Sequence, residues 1–339
     1  MTTEFDPTIT LHLFDIKTTH KKPYPAISPL KPEHNQAGKT VLITGGAGGI
    51  GYAIARAFIQ ASAAHVIVTS RRVGFLENGV KRLQAEAKAL GSNTKISGYA
   101  SDAGDLEAAN KLWTGFKEAG IFVDVLVLNA TIAGHIGPLL NTDVNDLWKT
   151  YEINVRSLFD YTKRFNAQEG GSKKKYLVNI STSIVHNLRD ENPGIRAYGV
   201  TKNAGTVLIQ QIAEDSNPDQ LQIVSMHPGA ILSDGARGTG LDESSWDFDD
   251  GKYTRNNLFL ELHTVSNAST ENLPGQTAVW AATEDAKFLH GRYMAAWWDI
   301  DELKRQEFKE KLEAEWHFLR VGVVGLTQLG HQKMSGSKN

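Results

Sequence analysis

Tyr198 and Lys202 stand four residues apart in a run, 197–215, whose apolar pattern predicts a helix. That spacing is about one helical turn, so both side chains share a face. A free phenol titrates near about 10, too high for rapid proton exchange at neutral pH. An ammonium beside it stabilises the phenolate and lowers that value. Such a pair can give a proton to an alkoxide or take one from an alcohol. Upstream, a predicted strand over 176–180 runs into Ser181, Thr182 and Ser183. Hydroxyls at the carboxyl end of a strand face the crevice where open α/β sheets bind ligands. One of them can hold a carbonyl oxygen. Taken alone, Tyr-x-x-x-Lys is common on helix surfaces, and its weight comes from what accompanies it.

What accompanies it first is a phosphate cradle. Thr44-Gly45-Gly46-Ala47-Gly48-Gly49-Ile50-Gly51 links a predicted strand to a predicted helix. Glycines let the backbone approach a pyrophosphate without Cβ clashes. The helix N-terminus that follows offers free N–H groups and a positive dipole end. The second strand ends in Ser70, Arg71 and Arg72, about where an acid would hold the ribose 2′-hydroxyl of NAD. With an arginine there instead, a 2′-phosphate is the better partner, which predicts NADP(H), with Arg71 as the cation and Ser70 as a hydrogen-bond partner. Asp102 follows the third strand, where it can accept from the adenine amine or simply cap the next helix.

These groups need a scaffold, and the hydrophobic pattern predicts one. Strands are expected over 40–43, 65–70, 94–100, 123–128, 176–180, 221–226 and 291–298. Helices are expected over 50–61, 75–90, 106–119, 143–165, 197–215 and 301–318. Strands alternating with helices predict an α/β, Rossmann-type doubly wound parallel sheet of about seven strands, with helices on both faces. Residues 1–37 read as an extended arm, 38–330 as one large dinucleotide-binding domain, and 331–339 as a tail. The periodicity weakens over 232–273, where Gly, Asp and Ser mix with Trp246, Phe248 and Tyr253. A stretch of that length is expected to contact substrate.

Composition narrows the function. The 36 basic and 38 acidic residues nearly cancel, giving a net charge of −2, so neither nucleic acid nor a membrane is an expected partner. With no cysteine, thiolate nucleophiles, disulfides and Cys-based zinc sites are excluded. The scattered histidines form no HExxH pair, and no metal site is expected. No secretory leader and no membrane-length apolar run is apparent, so a cytoplasmic location is the expectation.

Taken together, the motifs resemble the short-chain dehydrogenase/reductase family. Thr44, Gly45, Gly49 and Gly51 match its glycine loop, Asp102 its acid after the third strand, and Asn129-Ala130 part of its Asn-Asn-Ala-Gly turn. Asn154, Tyr198 with Lys202, and Pro228-Gly229 with Ser233 follow in the family's order. The resemblance implies Tyr198 as general acid/base and Lys202 as the residue that binds the nicotinamide ribose and lowers the tyrosine pKa. It implies Asn154 as the anchor of a proton-relay water and Asn129 beside the adenosine ribose. Ile231 and Ser233 would clamp the nicotinamide carboxamide and pyrophosphate next to Gly229, and Lys163 matches a basic cofactor contact. The family's catalytic serine aligns with Thr182, with Ser183 one residue further on. The arm's Tyr24-Pro-Ala-Ile-Ser and the Gly291 to Asp299 stretch resemble a fungal secondary-metabolism subgroup, implying a small-molecule ketone or alcohol substrate. Substrate contacts are also expected after Thr131 and over 186–195. Pairing of helices 143–165 and 197–215 in a homodimer or homotetramer is implied as well. Two alternatives stand beside the redox reading: a dehydratase, epimerase or cyclase that binds the cofactor without consuming it, and a nucleotide-sensing binding protein.

Overall fold

The computed structural model describes residues 16–170, 173–186, 194–229, 231 and 268–322, the backbone alone for 268–271. The strands are β1 (Thr40–Ile43), β2 (His65–Ser70), β3 (Lys95–Ala100), β4 (Val125–Leu128), β5 (Lys175–Ile180), β6 (Leu221–His227) and β7 (Arg292–Ala295). They form one seven-stranded sheet in the order β3-β2-β1-β4-β5-β6-β7, every pair parallel. The order reverses between β1 and β4, which opens a crevice at the carboxyl ends of the strands.

Both faces of the sheet are covered, as near-continuous apolar strands require. Val41, Ile43, Val66, Val68, Val125 and Val127 face α1 (Gly49–Gln60), α2 (Val73–Ala89) and α7 (Ala268–Ala281). Leu42, Ile67, Leu126 and Leu177 face α3 (Leu106–Glu118), α5 (Ser157–Asn166) and α6 (Arg196–Glu214). This alternation is the period of two of a pleated strand. On the first face Phe58 and Trp280 are fully buried, and on the second Phe116, Tyr161 and Phe165.

Three elements differ from their sequence expectations. The run 143–165 is not one α-helix. It is α4 (Val144–Tyr151), capped by the Asp143 carboxylate, then a π-turn (Glu152–Arg156), then α5. The run 301–318 divides into α8 (Ile300–Leu303) and α9 (Gln306–Ala314), and α9 stops four residues short. Helix α7 was not expected. It carries Pro274, and Ala278 to Ala282 are all buried, so it shows no amphipathic stripe. Gly275 lets it lie close on α1, where a Cβ would come within 2.6 Å of the Ala53 carbonyl.

The described part of the arm packs onto the body. Ile16 and Ile27 are buried, and 3₁₀ turns form at Pro25–Ile27 and Pro32–His34. Among the described residues, no helix is long and apolar enough to cross a membrane, and no group of three His, Asp or Glu is placed to hold a metal ion. Ser233, most of the 232–273 segment, residues 187–193 and the 331–339 tail lie outside the described residues.

Candidate active site

The glycine loop is built across the switch point. Thr44 directly follows β1, and its hydroxyl accepts the N–H groups of Asn129 and Ala130, each at 3.0 Å. The Asn129 amide donates back to the carbonyls of Thr44 (2.9 Å) and Gly45 (3.2 Å). Gly45 and Gly49 adopt φ of +66° and +52°, the left-handed region that suits glycine. At Gly51 a Cβ would stand 2.6 Å from both the Asn129 amide nitrogen and the Gly45 carbonyl oxygen. The first intrahelical bond of α1 runs from Tyr52 to Gly48, leaving the N–H groups of Gly49, Ile50 and Gly51 for a ligand. This cradle fits a pyrophosphate. Asn129 shapes the loop, its amide hydrogens committed to loop carbonyls and not turned to a ribose.

At the end of β2, Ser70 and the two arginines diverge. The Ser70 hydroxyl accepts the Arg72 N–H at 3.3 Å, and the Arg72 guanidinium lies 4.2 Å over the Phe75 ring. Arg71 is exposed and makes no ion pair with a described residue. At the end of β3, Asp102 closes a turn by accepting the Gly104 N–H at 2.9 Å. Its expected alternative as a helix cap does not hold, because Asp105 caps α3 by accepting from Glu107 and Ala108. Lys163 is not brought to the crevice. It is exposed in the last turn of α5, and that helix end meets the start of β5, where Lys175 donates to the Asn166 carbonyl at 2.6 Å.

The proton-transfer groups meet where β5 ends. Helix α6 brings Tyr198 half-buried against Thr182, close enough for the Thr182 hydroxyl to act on the phenol. Burial pushes the Tyr198 phenol up to about 12, with the Thr182 hydroxyl acting in the opposite sense. Lys202, buried one turn later, donates from Nζ to the Ile180 carbonyl at 2.5 Å, and burial pulls its ammonium down to about 8. In this form desolvation sets the direction of the Tyr198 shift, and the contribution opposing it comes from Thr182, not from Lys202. The hydroxyls after β5 divide by position. Ser181 is hydrogen-bonded to Thr206 at 2.6 Å, Thr182 meets Tyr198, and Ser183 begins the 3₁₀ turn Ser183–Val185.

Asn154 lies in the π-turn with its side chain fully used. Its Oδ1 accepts from the Thr131 hydroxyl (2.9 Å) and the Ile132 N–H (3.0 Å). Its Nδ2 donates to the Ile132 carbonyl (2.8 Å) and the Thr201 hydroxyl (2.9 Å). Two donors and two acceptor sites exhaust an amide, so this side chain holds the β4 loop to α6 and has no capacity left for a relay water. The loop after Thr131 and the approach to α6 meet as well, Gly137 donating to the Gly194 carbonyl at 2.8 Å.

Beyond β6, Gly229 has φ of +104° and donates to His227 Nδ1 at 3.4 Å, and Ile231 is half-buried. His227 is buried, its imidazole pulled down to about 3 by desolvation and by the charges of His186 and Lys202. Sequence reading missed His227, Thr201 and Trp297. The first two carried a usable signal, each being adjacent to a motif residue.

Known proteins bear on this arrangement. A family model described as short chain dehydrogenase matches residues 39–244. The short chain dehydrogenase/reductase AacuD of Aspergillus aculeatus is 28% identical over 91% of this chain and 96% of its own length. A short chain dehydrogenase/reductase of Claviceps purpurea is 30% identical over 91% of this chain and 94% of its own. Among solved structures, the RhlG/NADP active-site complex of Pseudomonas aeruginosa superposes with a TM-score of 0.63 at 20% identity, covering 78% of this chain and 97% of that one. With its seven-stranded parallel sheet and its match over residues 39–244, the chain belongs to the short-chain dehydrogenase/reductase family, with fungal relatives along most of its length.

Proposed function

We propose that this chain is an NADP(H)-dependent oxidoreductase that interconverts a ketone and a secondary alcohol of secondary-metabolite type. The observation that carries the reading is Tyr198, set against Thr182 and one turn from Lys202, at the same strand ends as the glycine cradle. The cradle at Gly45, Gly49, Ile50 and Gly51 would hold the pyrophosphate, with Asn129 fixing its shape. Arg71 and Ser70 would take the 2′-phosphate, Asp102 the adenine amine, and Gly229, Ile231 and Ser233 the nicotinamide end. When bound, the dinucleotide supplies the hydride.

The chain's own residues then handle the oxygen and the proton. Thr182 orients the carbonyl oxygen between its own hydroxyl and the Tyr198 phenol. Because burial keeps that phenol protonated at neutral pH, Tyr198 gives its proton to the oxygen as negative charge develops there. Lys202, buried beside the β5 end, supports recharging of the phenol. Asn154 keeps Thr131, Ile132 and Thr201 in register around both groups and acts as a positioning residue. Exposed Val144, Trp148, Phe159 and Val200 on α4, α5 and α6 support association through that side in a homodimer or homotetramer.

The deciding experiment incubates the protein with NADPH or NADH and a panel of ketones, following both dinucleotide absorbance and product. Stoichiometric loss of NADPH with alcohol formation supports the reading. Product without dinucleotide loss turns it towards non-redox chemistry, and binding without product turns it towards a sensor.

A further inference from the structure

We propose that Trp297 is a positioning residue for the nicotinamide end of the crevice, and that the N-terminal arm holds it there. This rests on the reading that the crevice takes a nicotinamide dinucleotide. Among the described residues, the turn that would meet the nicotinamide, Pro228-Gly229, is held by one bond from Gly229 to His227. The contact from Gly229 to His227 is long at 3.4 Å, and glycine at φ +104° has many alternatives in reach. The indole of Trp297 supplies a packing restraint on the same turn. Its ring atoms lie 3.9 and 4.0 Å from where a Gly229 Cβ would stand, and it meets the His227 imidazole edge-on at 4.9 Å between centroids.

Trp297 leaves β7 in a turn, and the arm grips that turn from outside. His20 donates its N–H to the Trp297 carbonyl at 2.8 Å, and Thr19 bridges the buried Trp298. The Tyr24 hydroxyl donates to the Trp298 carbonyl at 2.9 Å and accepts the Ile300 N–H at 3.0 Å. His20 stacks on the Tyr24 ring at 3.5 Å and pairs with Asp299 at 2.7 Å. The arm is thus tied by backbone bonds, the half-buried Tyr24 hydroxyl and a histidine–carboxylate pair to the segment that presents the indole. Neither partner falls within residues 39–244, so this buttress lies outside the part of the chain that the family model matches.

The test is calorimetric titration of the full chain with NADPH and, separately, with 2′-phospho-ADP-ribose, which lacks the nicotinamide. Trp297→Ala is expected to weaken NADPH about tenfold, the scale of one lost aromatic contact with its burial. Tyr24→Phe, which removes one bridging hydroxyl, is expected to weaken it about threefold. Trp297→Phe retains most of the affinity. The fragment binds all variants as it binds the wild type, because its contacts lie at β1 to β3. Equal weakening of both ligands would mean general loosening and overturns the proposal, as does unchanged NADPH affinity in Trp297→Ala. If that variant does not fold, unchanged affinity in Tyr24→Phe overturns it. Wild-type protein that binds neither ligand overturns the dinucleotide reading itself, and this inference with it.

Discussion

Replacing Thr182 by valine removes a hydroxyl and keeps a β-branched side chain. Thr182 sits at φ −159° and ψ 157°, an extended conformation that valine prefers, so the backbone has no reason to move. Two effects are lost. A hydroxyl interaction between Thr182 and the Tyr198 phenol is worth at most about 0.5–1.5 kcal/mol. A donor aimed at a developing oxyanion in a closed site is worth about 2.7–4 kcal/mol. Thr182 is only half-buried, so the second figure is an upper bound here. The expected loss in single-turnover ketone reduction is about a hundredfold, with NADPH affinity changed by less than about twofold. Thr182→Ser should restore most of the rate, and Ser183→Ala should leave it close to wild type, since Ser183 opens the following 3₁₀ turn. A full-rate Thr182→Val, or a Ser183→Ala that loses as much, would refute the assignment of this hydroxyl.

Other consequences can be measured in parallel. Tyr198→Phe should abolish turnover while NADPH binding, followed by fluorescence, stays near wild type. Arg71→Ala should lower the NADPH-over-NADH preference in kcat/KM by about ten- to a hundredfold, the value of about 1.5–3 kcal/mol for a charged hydrogen bond. Gly51→Ala, whose Cβ would sit 2.6 Å from a carbonyl oxygen and an amide nitrogen, should cost about 1–3 kcal/mol in urea denaturation and weaken dinucleotide binding. His65 and His227 are held at about 4 and about 3, below the usual histidine value. The unfolded chain therefore binds more protons than the native one below about pH 6.5, and the stability from these neutral histidines is lost as pH falls from there towards 4 and 3. Each adds a slope of up to about 1.4 kcal/mol per pH unit in that window. His65→Gln should shallow the acid side of the denaturation-midpoint profile.

The sheet was legible because its strands are short, almost purely apolar runs such as Val125 to Leu128, bounded by glycine or polar residues. The tyrosine and lysine were legible because one helical turn is a local spacing. The work of Asn154 was not, since its partners Thr131, Ile132 and Thr201 lie 22 to 47 residues away and only tertiary packing selects them. The same holds for Asp102 against Asp105, two acids near one helix start, where backbone geometry alone decides which one caps. Helix α7 escaped because the apolar run Ala278 to Ala281, buried throughout, has no polar stripe to reveal its period, and Pro274 reads as a breaker. Trp297 was invisible as a site residue, since its neighbours Gly229 and His227 are reached across the sheet.

The π-turn at Glu152–Arg156 ties the site to a count of residues as well as to their types. A wide turn of this kind amounts to one surplus residue within an α-helix. Deleting one of these five would let α4 run on into α5 as a regular helix, with the residues downstream kept on the same face, because the wide turn absorbs the surplus residue. Tyr161 and Phe165 would keep their places in the core, whereas the wide turn that seats Asn154 against Thr131, Ile132 and Thr201 would be gone. A single-codon deletion here should therefore spare the fold more than the site, costing turnover while the denaturation midpoint moves little.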